Sequence, residues 1–192
     1  MSDSPSGHLV VVSGPSGVGK SSILAAALAA TPSEFSTSAT TRAPRPGEVD
    51  GREYQFIDRD DFERRIASGE VPEWAEYGGN LYGTLRTEVV PVLTDGRNVL
   101  LDIENEGAKQ IRNSYPEAVL IFVRPPDIGE LERRLRGRGD TSERDIERRL
   151  SVAEDQMREA PAIYDHIVLN DDLDAAIGRV VDILASLTLH QP

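Results

Sequence analysis

Residues 8–22 read HLVVVSGPSGVGKSS and contain the pattern G-x-x-x-x-G-K-S between Gly14 and Ser21. The apolar run 9–12 before the pattern predicts a buried strand, and the helix-favouring run 23–30 after it predicts a helix. Glycines in such a loop allow successive backbone N–H groups to point inward at a phosphate, and the N-terminus of the new helix adds partial positive charge. The stretch therefore predicts a strand, a loop and a helix that bind the phosphates of a nucleotide.

Two side chains of this loop have specific expected roles. Lys20 is expected to reach the β- and γ-phosphates of ATP, and the Ser21 hydroxyl is expected to bind Mg²⁺. The residues expected to hold ATP here are Gly14, Pro15, Ser16, Gly17, Val18, Gly19, Lys20, Ser21 and Ser22. The alternative is a chance glycine-rich turn. Lysine usage argues against that alternative, because the chain has only two lysines against nineteen arginines and keeps one of them here, where a compact ammonium group is wanted.

Composition and charge narrow the classes of function. At 192 residues the chain is long enough for one domain with a proper core, and it has no cysteine for disulfides, thiolate chemistry or cysteine metal sites. A net charge of −12 argues against nucleic acid as a partner, although a local arginine cluster can still set the potential inside a cleft. The first residues are polar and no apolar run is long enough for a membrane span, so we expect a cytoplasmic protein with no membrane partner.

Three further apolar runs, at 98–103, 118–123 and 166–169, alternate with segments of helical periodicity. The predicted helices are 127–136 with a capping pair at Asp127 and Glu130, 142–161 with Ser142 as its cap and Pro161 as its end, and 173–184. Continuous apolar strands that alternate with helices are typical of a parallel sheet buried on both faces. The predicted fold class is therefore α/β, with a mostly parallel sheet flanked by helices.

The segment between residues 35 and 94 has shorter strands, and its loops are rich in proline and glycine. The predicted elements are a strand at 35–42, a strand-like piece at 54–56, a helix at 58–68 stopped by Gly69, a strand at 71–77, a turn at 78–80 and a helix at 84–94. Pro91 is expected to kink the last of these helices or to delay its start.

Arg42 and Arg45 lie three residues apart around a proline-containing turn, and Tyr54 follows after a further loop. Two guanidinium groups can grip one phosphate through paired hydrogen bonds, and a phenol can add another donor. The alternative is a solvated loop that happens to carry arginines. The residues alone leave both interpretations open.

Glu73 lies in the run VPEWAEY, next to Trp74, and is a candidate for partial burial. Burial of a carboxylate is costly unless it meets donors, and the guanine edge supplies two of them, N1–H and N2–H₂. Hydroxyls such as those of Ser38 and Thr84 can donate to guanine O6. The alternative is an edge-strand glutamate that pairs with a surface arginine.

Asp102 closes an apolar strand, which resembles the position that holds Mg²⁺ through water in phosphate-loop proteins, and Glu104 follows two residues later. The alternative is a strand-end acid that caps the helix beginning near Gly107.

The segment 133–149 contains seven arginines, among them Arg134, Arg138 and Arg149. Positioned arginines stabilise the charge that spreads over the oxygens of a phosphoryl group during transfer. Acidic residues interleave with them, so some of these arginines are expected to form only surface ion pairs.

Taken together, the segments SGPSGVGKSS, SATTRAPRPGEVDGREYQF, EWAEYGGNLYGT, LDIENEGAKQIR, LRGRG and NDDLD resemble the guanylate kinase family of ATP:GMP phosphotransferases. The resemblance covers about residues 9–187. The pattern TTRxPRxGExxGxxY is more specific than the phosphate loop, because it is typical of this family rather than of nucleotide kinases in general.

The resemblance implies a P-loop NTPase-type core at about 8–35, 86–126 and 150–188, a GMP-binding segment at about 36–85 and a mobile helical lid at about 127–149. It implies that the GMP phosphate is held by Arg42, Arg45, Tyr54 and Tyr82. It implies that guanine is recognised by Ser38, Glu73 and Thr84, with Asp102 and Glu104 completing the GMP-binding set. Glu104 stands where the family often has aspartate.

The resemblance also implies a catalytic set of Lys20, Arg134, Arg138 and Arg149, an Asn170 that lies near adenine, and Mg²⁺ held by Ser21 and by Asp102, directly or through water. The implied reaction transfers the γ-phosphoryl group of ATP to GMP, and more weakly to dGMP, in purine nucleotide metabolism. The GMP phosphate oxygen is already an anion, so no general base is required. The oligomeric state is left open between monomer and homodimer.

Three other functions compete with this interpretation. A kinase-like module that only binds a protein partner would not need an intact Lys20 and Ser21. A GTPase would need an N-K-x-D motif, and the nearest segment, NDDLD at 170–174, has no lysine. A kinase of another nucleotide, such as adenylate kinase, would not explain Glu73 with hydroxyl partners.

Overall fold

The computed structural model of the chain describes residues 7–137 and 142–189. In chain order its elements are β1 (Leu9–Ser13), α1 (Lys20–Ala30), β2 (Ser33–Phe35), β3 (Ala39–Thr40), β4 (Gln55–Phe56), α2 (Arg59–Ala67), β5 (Glu73–Tyr77), β6 (Asn80–Thr84), α3 (Arg86–Thr94), β7 (Asn98–Leu101), α4 (Asn105–Ser114), β8 (Val119–Arg124), α5 (Ile128–Gly137), α6 (Glu143–Ile163), β9 (His166–Leu169) and α7 (Leu173–Leu189).

The central sheet has five strands in the order β2–β7–β1–β8–β9, and all of its neighbouring pairs are parallel. Strand β1 is buried on both faces because its side chains alternate. Leu9 and Val11 pack with α3, α4 and α6 on one face, and Val10 and Val12 pack with α1 and α7 on the other. The predicted α/β class with a helix-flanked parallel sheet is confirmed.

A second sheet, in the order β4–β3–β6–β5, lies beside the first and is mostly antiparallel. Helix α2 covers it through Phe62, which is fully buried against Ala39, Val71 and Leu81. All four strands of this sheet fall within the predicted GMP-binding segment, residues 36–85.

Two strand predictions in this region were wrong. The single strand predicted at 35–42 is divided, because the chain leaves the central sheet at Phe35 and joins the second sheet at Ala39. Strand β6 was not predicted, since Gly83 in its middle is typical of turns rather than strands. The structure requires glycine there because a Cβ at Gly83 would lie 2.5 Å from the backbone oxygen of Glu73 on the neighbouring strand.

The helices largely follow their predicted ends. Asp58 and Ser142 cap α2 and α6 by accepting hydrogen bonds from backbone N–H groups, and Asp127 accepts from the Glu130 N–H at 2.7 Å. Helix α3 begins at Arg86 rather than Thr84. Helix α6 continues past Pro161 to Ile163, because a proline in the last turn removes only one helical hydrogen bond.

The sheet topology places the candidate site. The phosphate loop follows the carboxyl end of β1, and Asp102 follows the carboxyl end of the adjacent parallel strand β7. Both therefore lie at the same edge of the central sheet, where parallel sheets typically bind ligands. Among the helices in the described ranges, none is both long and apolar enough to span a membrane.

Candidate active site

The phosphate loop forms one wall of a cavity of about 260 Å³. The cavity is lined by Gly14, Pro15, Ser16, Gly17, Gly19, Lys20, Ser21, Ser22, Asp102 and Glu104. Glycine is required at two points of the loop. A Cβ at Gly14 would lie 2.2 Å from the Val123 oxygen, and a Cβ at Gly19, whose φ is 101°, would lie 2.8 Å from Asn170 Nδ2. Helix α1 begins directly after Gly19, so its N-terminus points at the cavity.

Lys20 lies across the loop that it belongs to. Its Nζ donates to the backbone oxygen of Gly14 at 2.6 Å and lies 3.8 Å from a carboxylate oxygen of Asp102. The ammonium group is therefore held at the centre of the cavity, between the loop and the adjacent strand β7. A phosphate group placed in the loop would meet this charge.

Asp102 and Glu104 bring two carboxylates to the opposite wall of the same cavity. Removal from water raises the pKa of Asp102, the nearby Lys20 charge opposes that rise, and the Glu104 charge adds to it. Glu104 occupies the N-cap position of α4 without a capping hydrogen bond from its side chain. Its carboxylate therefore remains exposed to the cleft, and the helix begins at Asn105 rather than near Gly107.

Glu73 is buried at the start of β5, with only 4% of its surface exposed. It pairs across the hairpin with Thr84 of β6, whose hydroxyl donates to the Glu73 carboxylate at 2.7 Å. Burial raises the pKa of Glu73 because removal from water disfavours the charged form, and the Thr84 hydrogen bonds oppose that rise. Ser38, half-buried, precedes β3, and the register of β3 on β6 places it opposite Thr84.

The structure thus brings Ser38, Glu73 and Thr84 together at one end of the second sheet. The Glu73 carboxylate is buried and makes no ion pair with a surface arginine, unlike the edge-strand alternative. It can accept further hydrogen bonds from a ligand, and Thr84 and Ser38 present hydroxyl groups beside it.

Arg42 is held by a residue that the sequence analysis missed. Its guanidinium donates two hydrogen bonds to the carboxylate of Glu48, at 2.9 and 3.0 Å. Glu48 also accepts from the backbone N–H of Arg45 at 2.6 Å. These bonds lower the pKa of Glu48, the Arg42 bond first and the Arg45 bond second. The glutamate was visible in the pattern TTRxPRxGExxGxxY, where its spacing of three from Arg45 was the available signal.

Aromatic rings form the floor beneath Arg42. Its guanidinium lies 5.4 Å from the ring centre of Tyr54 and 5.7 Å from that of Phe56. The Tyr54 and Tyr82 rings meet edge to face at 5.8 Å. Arg42, Tyr54 and Tyr82 are therefore clustered, while the Arg45 side chain is exposed at the rim of the same loop. The arrangement offers guanidinium and phenol donors to an anion.

The lid arginines differ in what they contact. Arg149 on α6 donates to the Ser16 hydroxyl of the phosphate loop at 3.3 Å. Arg134 on α5 donates to the backbone oxygens of Val18 and Asn170, at 3.4 and 3.0 Å, and pairs with Glu130. Arg138 lies outside the described residues. Several others form the surface ion pairs that the interleaved acids predicted, for example Arg136 with Glu132.

Asn170 is buried behind the phosphate loop, with 2% of its surface exposed. Its Nδ2 donates to the Val18 oxygen at 2.6 Å. Its Oδ1 makes no hydrogen bond with any of the described residues. The side chain therefore holds the loop through one hydrogen bond, and its Oδ1 accepts none within the described part of the chain.

A second cavity, of about 240 Å³, joins the first through Ser16 and Glu104. Its remaining lining residues are Tyr77 at the end of β5 and Arg148, Arg149, Val152 and Gln156 on α6. The two cavities together form a cleft between the phosphate loop, the second sheet and α6. Such a cleft can hold two phosphorylated ligands side by side.

Comparisons with known proteins agree with this geometry. A family model described as guanylate kinase matches residues 6–187 of the chain. The chain is 50% identical to the guanylate kinase of Rubrobacter xylanophilus over 179 residues, which are 93% of each chain. It is 49% identical to that of Symbiobacterium thermophilum over 181 residues, which are 94% of this chain and 85% of the other.

A solved structure gives the same result. The crystal structure of guanylate kinase from Anaplasma phagocytophilum matches with a TM-score of 0.71 and 32% sequence identity. The match covers 95% of this chain and 87% of that chain.

Proposed function

The chain belongs to the guanylate kinase family and transfers a phosphoryl group from ATP to GMP, giving ADP and GDP, and we propose that the cleft described above is where it does so. The observation that carries this assignment of the site is the buried Glu73 carboxylate beside the Thr84 hydroxyl, on the strand β5 that also supplies Tyr77 to the cleft.

In the donor half of the site, the loop Gly14–Ser22 holds the ATP phosphates through its backbone N–H groups and the N-terminus of α1. Lys20, whose Nζ donates to the Gly14 oxygen, is close enough to the loop to contact the β- and γ-phosphates. Asn170 keeps the loop in place through Val18, on the side of the site where we place adenine.

The same cavity suits Mg²⁺ bound mainly by oxygen atoms of the nucleotide and of water. In residues 7–137 and 142–189 no group of three histidine, cysteine or acidic side chains could hold a metal alone. The Ser21 hydroxyl and the Asp102 carboxylate both line the cavity, and oxygen ligands of this kind are those that Mg²⁺ prefers. When bound, the ion neutralises charge on the β- and γ-phosphates.

In the acceptor half, Arg42, Arg45, Tyr54 and Tyr82 hold the GMP phosphate. Glu48 occupies one edge of the Arg42 guanidinium and so fixes its plane against the Tyr54 ring. Arg42 Nη1 also donates to the backbone oxygen of Ala43 at 2.8 Å. The donors that these contacts do not use are proposed to meet the phosphate. A planar guanidinium held in this way loses little side-chain entropy when the ligand binds.

Guanine is recognised at the buried end of the same sheet. The Glu73 carboxylate accepts from guanine N1–H and N2–H₂, while Ser38 and Thr84 donate to O6 or position the carboxylate. Glu104 faces the same cleft and reaches the base from the side of the central sheet. An adenine edge would leave the buried carboxylate facing an acceptor, which accounts for selection of guanine. None of these residues is assigned to the ribose. We therefore expect dGMP to be accepted as a substrate, although a weaker one than GMP.

Transfer then depends on alignment and charge. The attacking GMP oxygen is already anionic, so no side chain has to remove a proton. Lys20, Arg149, Arg134 and Arg138 stabilise the charge on the transferred group, and Arg149 already contacts the loop through Ser16. Closure of the segment 127–149 over ATP excludes water, so that ATP is not hydrolysed instead.

A coupled assay with GMP, dGMP, AMP, CMP and UMP as acceptors tests the assignment. We expect the highest kcat/KM with GMP, a lower value with dGMP and values about a thousandfold lower with the others, because the wrong base leaves buried groups unpaired. In Glu73→Gln the KM for GMP rises by about a hundredfold and the KM for ATP stays the same. Equal activity with AMP and GMP would refute the role of this site.

The pKa of Glu73 gives the same experiment a second readout. A carboxylate with a raised pKa takes up a proton at a higher pH than an ordinary glutamate, and the protonated form accepts one hydrogen bond fewer from guanine. The KM for GMP of the native protein therefore increases as the pH falls toward the raised pKa of Glu73. The KM of Glu73→Gln stays flat over that range, whereas an equal slope in both proteins would assign the pH dependence to another group.

A further inference from the structure

A chain of buried polar side chains lies behind the cleft, inside the apolar core beneath α6. We refer to it as the Asn105 network, and it consists of Ser13, Asn105, Gln156 and Tyr164. Between 2% and 9% of the surface of each residue is exposed. Buried polar groups are costly unless they are hydrogen-bonded, so a connected set of them in a core requires an explanation.

The members of the network satisfy one another. The Tyr164 hydroxyl donates to the Asn105 Oδ1 at 3.0 Å, and the Asn105 Nδ2 donates to the backbone oxygen of Gln156 at 3.3 Å. Burial raises the pKa of Tyr164 to about 12, and a hydrogen bond from the Ser13 side chain opposes that rise. The phenol therefore stays protonated and remains a donor to Asn105 at every pH in the working range.

The four members belong to three walls of the active cleft. Ser13 is the last residue of β1 and directly precedes Gly14 of the phosphate loop. Asn105 is the first residue of α4 and directly follows Glu104, which lines both cavities. Gln156 and Tyr164 belong to α6 and its C-cap. The network is thus a hydrogen-bonded junction between the loop, the acidic wall and the long helix.

Helix α6 connects this junction to the phosphates. Arg149 precedes Gln156 by seven residues, which is two turns, or about 10 Å along the axis and on the same face. Arg149 donates to Ser16 of the phosphate loop. A displacement of α6 at Gln156 is therefore carried to the Arg149 guanidinium.

Several contacts hold α6, and only some of them act at the junction. Its fully buried residues near the junction are Ala153 and Ala160, which are small and make contacts without direction. The Lys109–Glu159 ion pair links α4 to α6, with both side chains more than two-fifths exposed, and exposed pairs contribute little. The end of α6 is held by Asp165, whose N–H donates to the Leu120 oxygen at 2.9 Å and whose carboxylate accepts from Arg112 at 2.7 Å. The buried directional bonds at the junction itself are those of Asn105.

We propose that Asn105 is a positioning residue for phosphoryl transfer, which holds α6 at the height where Arg149 meets the transferred group. This inference rests on the proposed function, and in particular on the role of Arg149. The Tyr164 hydroxyl orients the Asn105 amide, and its hydrogen bond with Ser13 connects it to the residue that precedes the phosphate loop. Asn105 itself has no part in binding either nucleotide.

The test is a double-mutant cycle in kcat between Asn105 and Arg149. Asn105→Leu keeps the approximate volume and removes both amide bonds, and Arg149→Ala removes the charge. We expect Arg149→Ala to lower kcat about a hundredfold and Asn105→Leu to lower it about tenfold, with the KM for GMP unchanged. In the Arg149→Ala background, Asn105→Leu has less than about a twofold effect, because the group that it positions is absent.

Thermal unfolding separates positioning from stability. The loss of the amide bonds lowers the Tm by the same amount in both backgrounds, so a purely structural role would also lower kcat equally in both. If Asn105→Leu does not fold, Tyr164→Phe replaces it, because this variant keeps the ring packing. It is expected to lower kcat in the native background and not in the Arg149→Ala background. The matched control is Tyr115→Phe, which removes a half-buried hydroxyl next to the same core without touching the network, and it leaves kcat unchanged.

The outcomes distinguish the inference from the function that it rests on. A tenfold loss of kcat for Asn105→Leu that persists in the Arg149→Ala background overturns the inference and leaves the kinase assignment intact. A kcat for Asn105→Leu equal to that of the native protein also overturns the inference and leaves the kinase assignment intact. A native kcat for Arg149→Ala overturns the role of that arginine and the inference with it. An absence of transfer to GMP in the native protein overturns the proposed site as a whole.

Discussion

Glu48 shows at the scale of a single residue how an acidic side chain can serve an anion site. It places a negative charge close to the phosphate that Arg42 and Arg45 are proposed to bind, which by itself disfavours binding. In exchange it holds the Arg42 guanidinium by two bonds and the Arg45 backbone by a third. The side chains of Arg42 and Glu48 are only 15% and 17% exposed, so the pair is held in one geometry rather than fluctuating at the surface.

We predict that Glu48→Ala raises the KM for GMP by about tenfold, because Arg42 loses its orientation and more side-chain entropy is lost when GMP binds. The KM for ATP is expected to stay unchanged, since the loop around Glu48 is remote from the phosphate loop. Steady-state kinetics with each substrate varied in turn measures both values. The GMP affinity gained when Glu48 orients Arg42 is thus predicted to exceed the affinity lost through repulsion between Glu48 and the phosphate.

Glu53→Ala is the matched control for this prediction. Glu53 lies in the same loop, pairs with Arg52 and accepts from the backbone N–H of Val49, but makes no contact with Arg42. Its removal deletes the same charge and is expected to leave the KM for GMP nearly unchanged. If Glu48→Ala instead lowered that KM, repulsion between Glu48 and the phosphate would be the larger effect.

At the scale of secondary-structure elements, strand β5 is the exposed edge of the second sheet, and α4 closes part of that edge. The Gln110 amide donates to the Trp74 oxygen at 2.9 Å and accepts from the Trp74 N–H at 3.0 Å. A side-chain amide thereby replaces the peptide group of a missing neighbouring strand. Because Trp74 follows Glu73, this contact also fixes the strand that carries the guanine-recognising carboxylate.

We predict that Gln110→Ala loosens β5 from α4. The free energy of unfolding is expected to fall by about 1 kcal/mol, as for the loss of one or two half-exposed hydrogen bonds. The KM for GMP is expected to rise about threefold, because Glu73 is held less firmly. Hydrogen exchange at the Trp74 amide, measured by mass spectrometry, should accelerate while exchange in β1 and β8 stays slow.

Asn113→Ala on the same helix provides the comparison. Asn113 is exposed and makes no hydrogen bond with β5, so its removal is expected to change neither exchange at Trp74 nor the KM for GMP. Identical exchange at Trp74 in Gln110→Ala and in the native protein would mean that α4 does not hold this edge.

The elements that could be predicted from the sequence are those whose signal is local. Strand β1, the phosphate loop and α1 follow one another within residues 9–30. Each of them could therefore be predicted from the adjacent sequence. The strands β7 and β8 were predicted because both of their faces are buried, which makes their sequences continuously apolar, and β9 was predicted from a shorter apolar run of the same kind. The caps at Asp58 and Ser142 required only the adjacent residues.

The elements that could not be predicted depend on distant partners. Strand β6 contains Gly83 because the Glu73 backbone approaches it from β5, a fact that exists only after the sheet has formed. The junction of Asn105 with Tyr164 joins residues 59 apart in sequence. The role of Glu48 could not be predicted for a different reason. A loop glutamate near arginines has the same local sequence whether it orients a binding-site arginine or only contacts solvent.

At the scale of the whole molecule, the cleft has three walls that belong to different parts of the chain. Tyr77 extends from the end of β5 with 68% of its surface exposed, and Val152 on α6 is 44% exposed. Both line the same cavity, with Glu104 also on its wall. Two large apolar side chains left in water on opposite sides of a cleft gain free energy if the cleft closes and brings them together.

We predict that binding of both nucleotides closes the cleft along the line from Tyr77 to Val152. The chain has no cysteine, so the double variant Tyr77→Cys/Val152→Cys contains a single possible disulfide. Under mild oxidation, its formation is expected to be about tenfold faster with GMP and a non-hydrolysable ATP analogue than without ligands. Gel mobility after quenching measures the rate. One nucleotide alone is expected to give a smaller acceleration, because closure needs contacts from both halves of the cleft.

The control pair Tyr77→Cys/Val90→Cys isolates closure from a general effect of the ligands on thiol reactivity. Val90 lies on α3 and is 46% exposed, similar to Val152, but it does not line the cavity. Its pairing with residue 77 is expected to remain slow in every ligand state. Equal rates for the 77–152 pair with and without nucleotides would show that α6 and β5 keep their separation during the reaction. The exclusion of water from the transferred phosphoryl group would then have to come from the segment 127–149 alone, without movement of the second sheet.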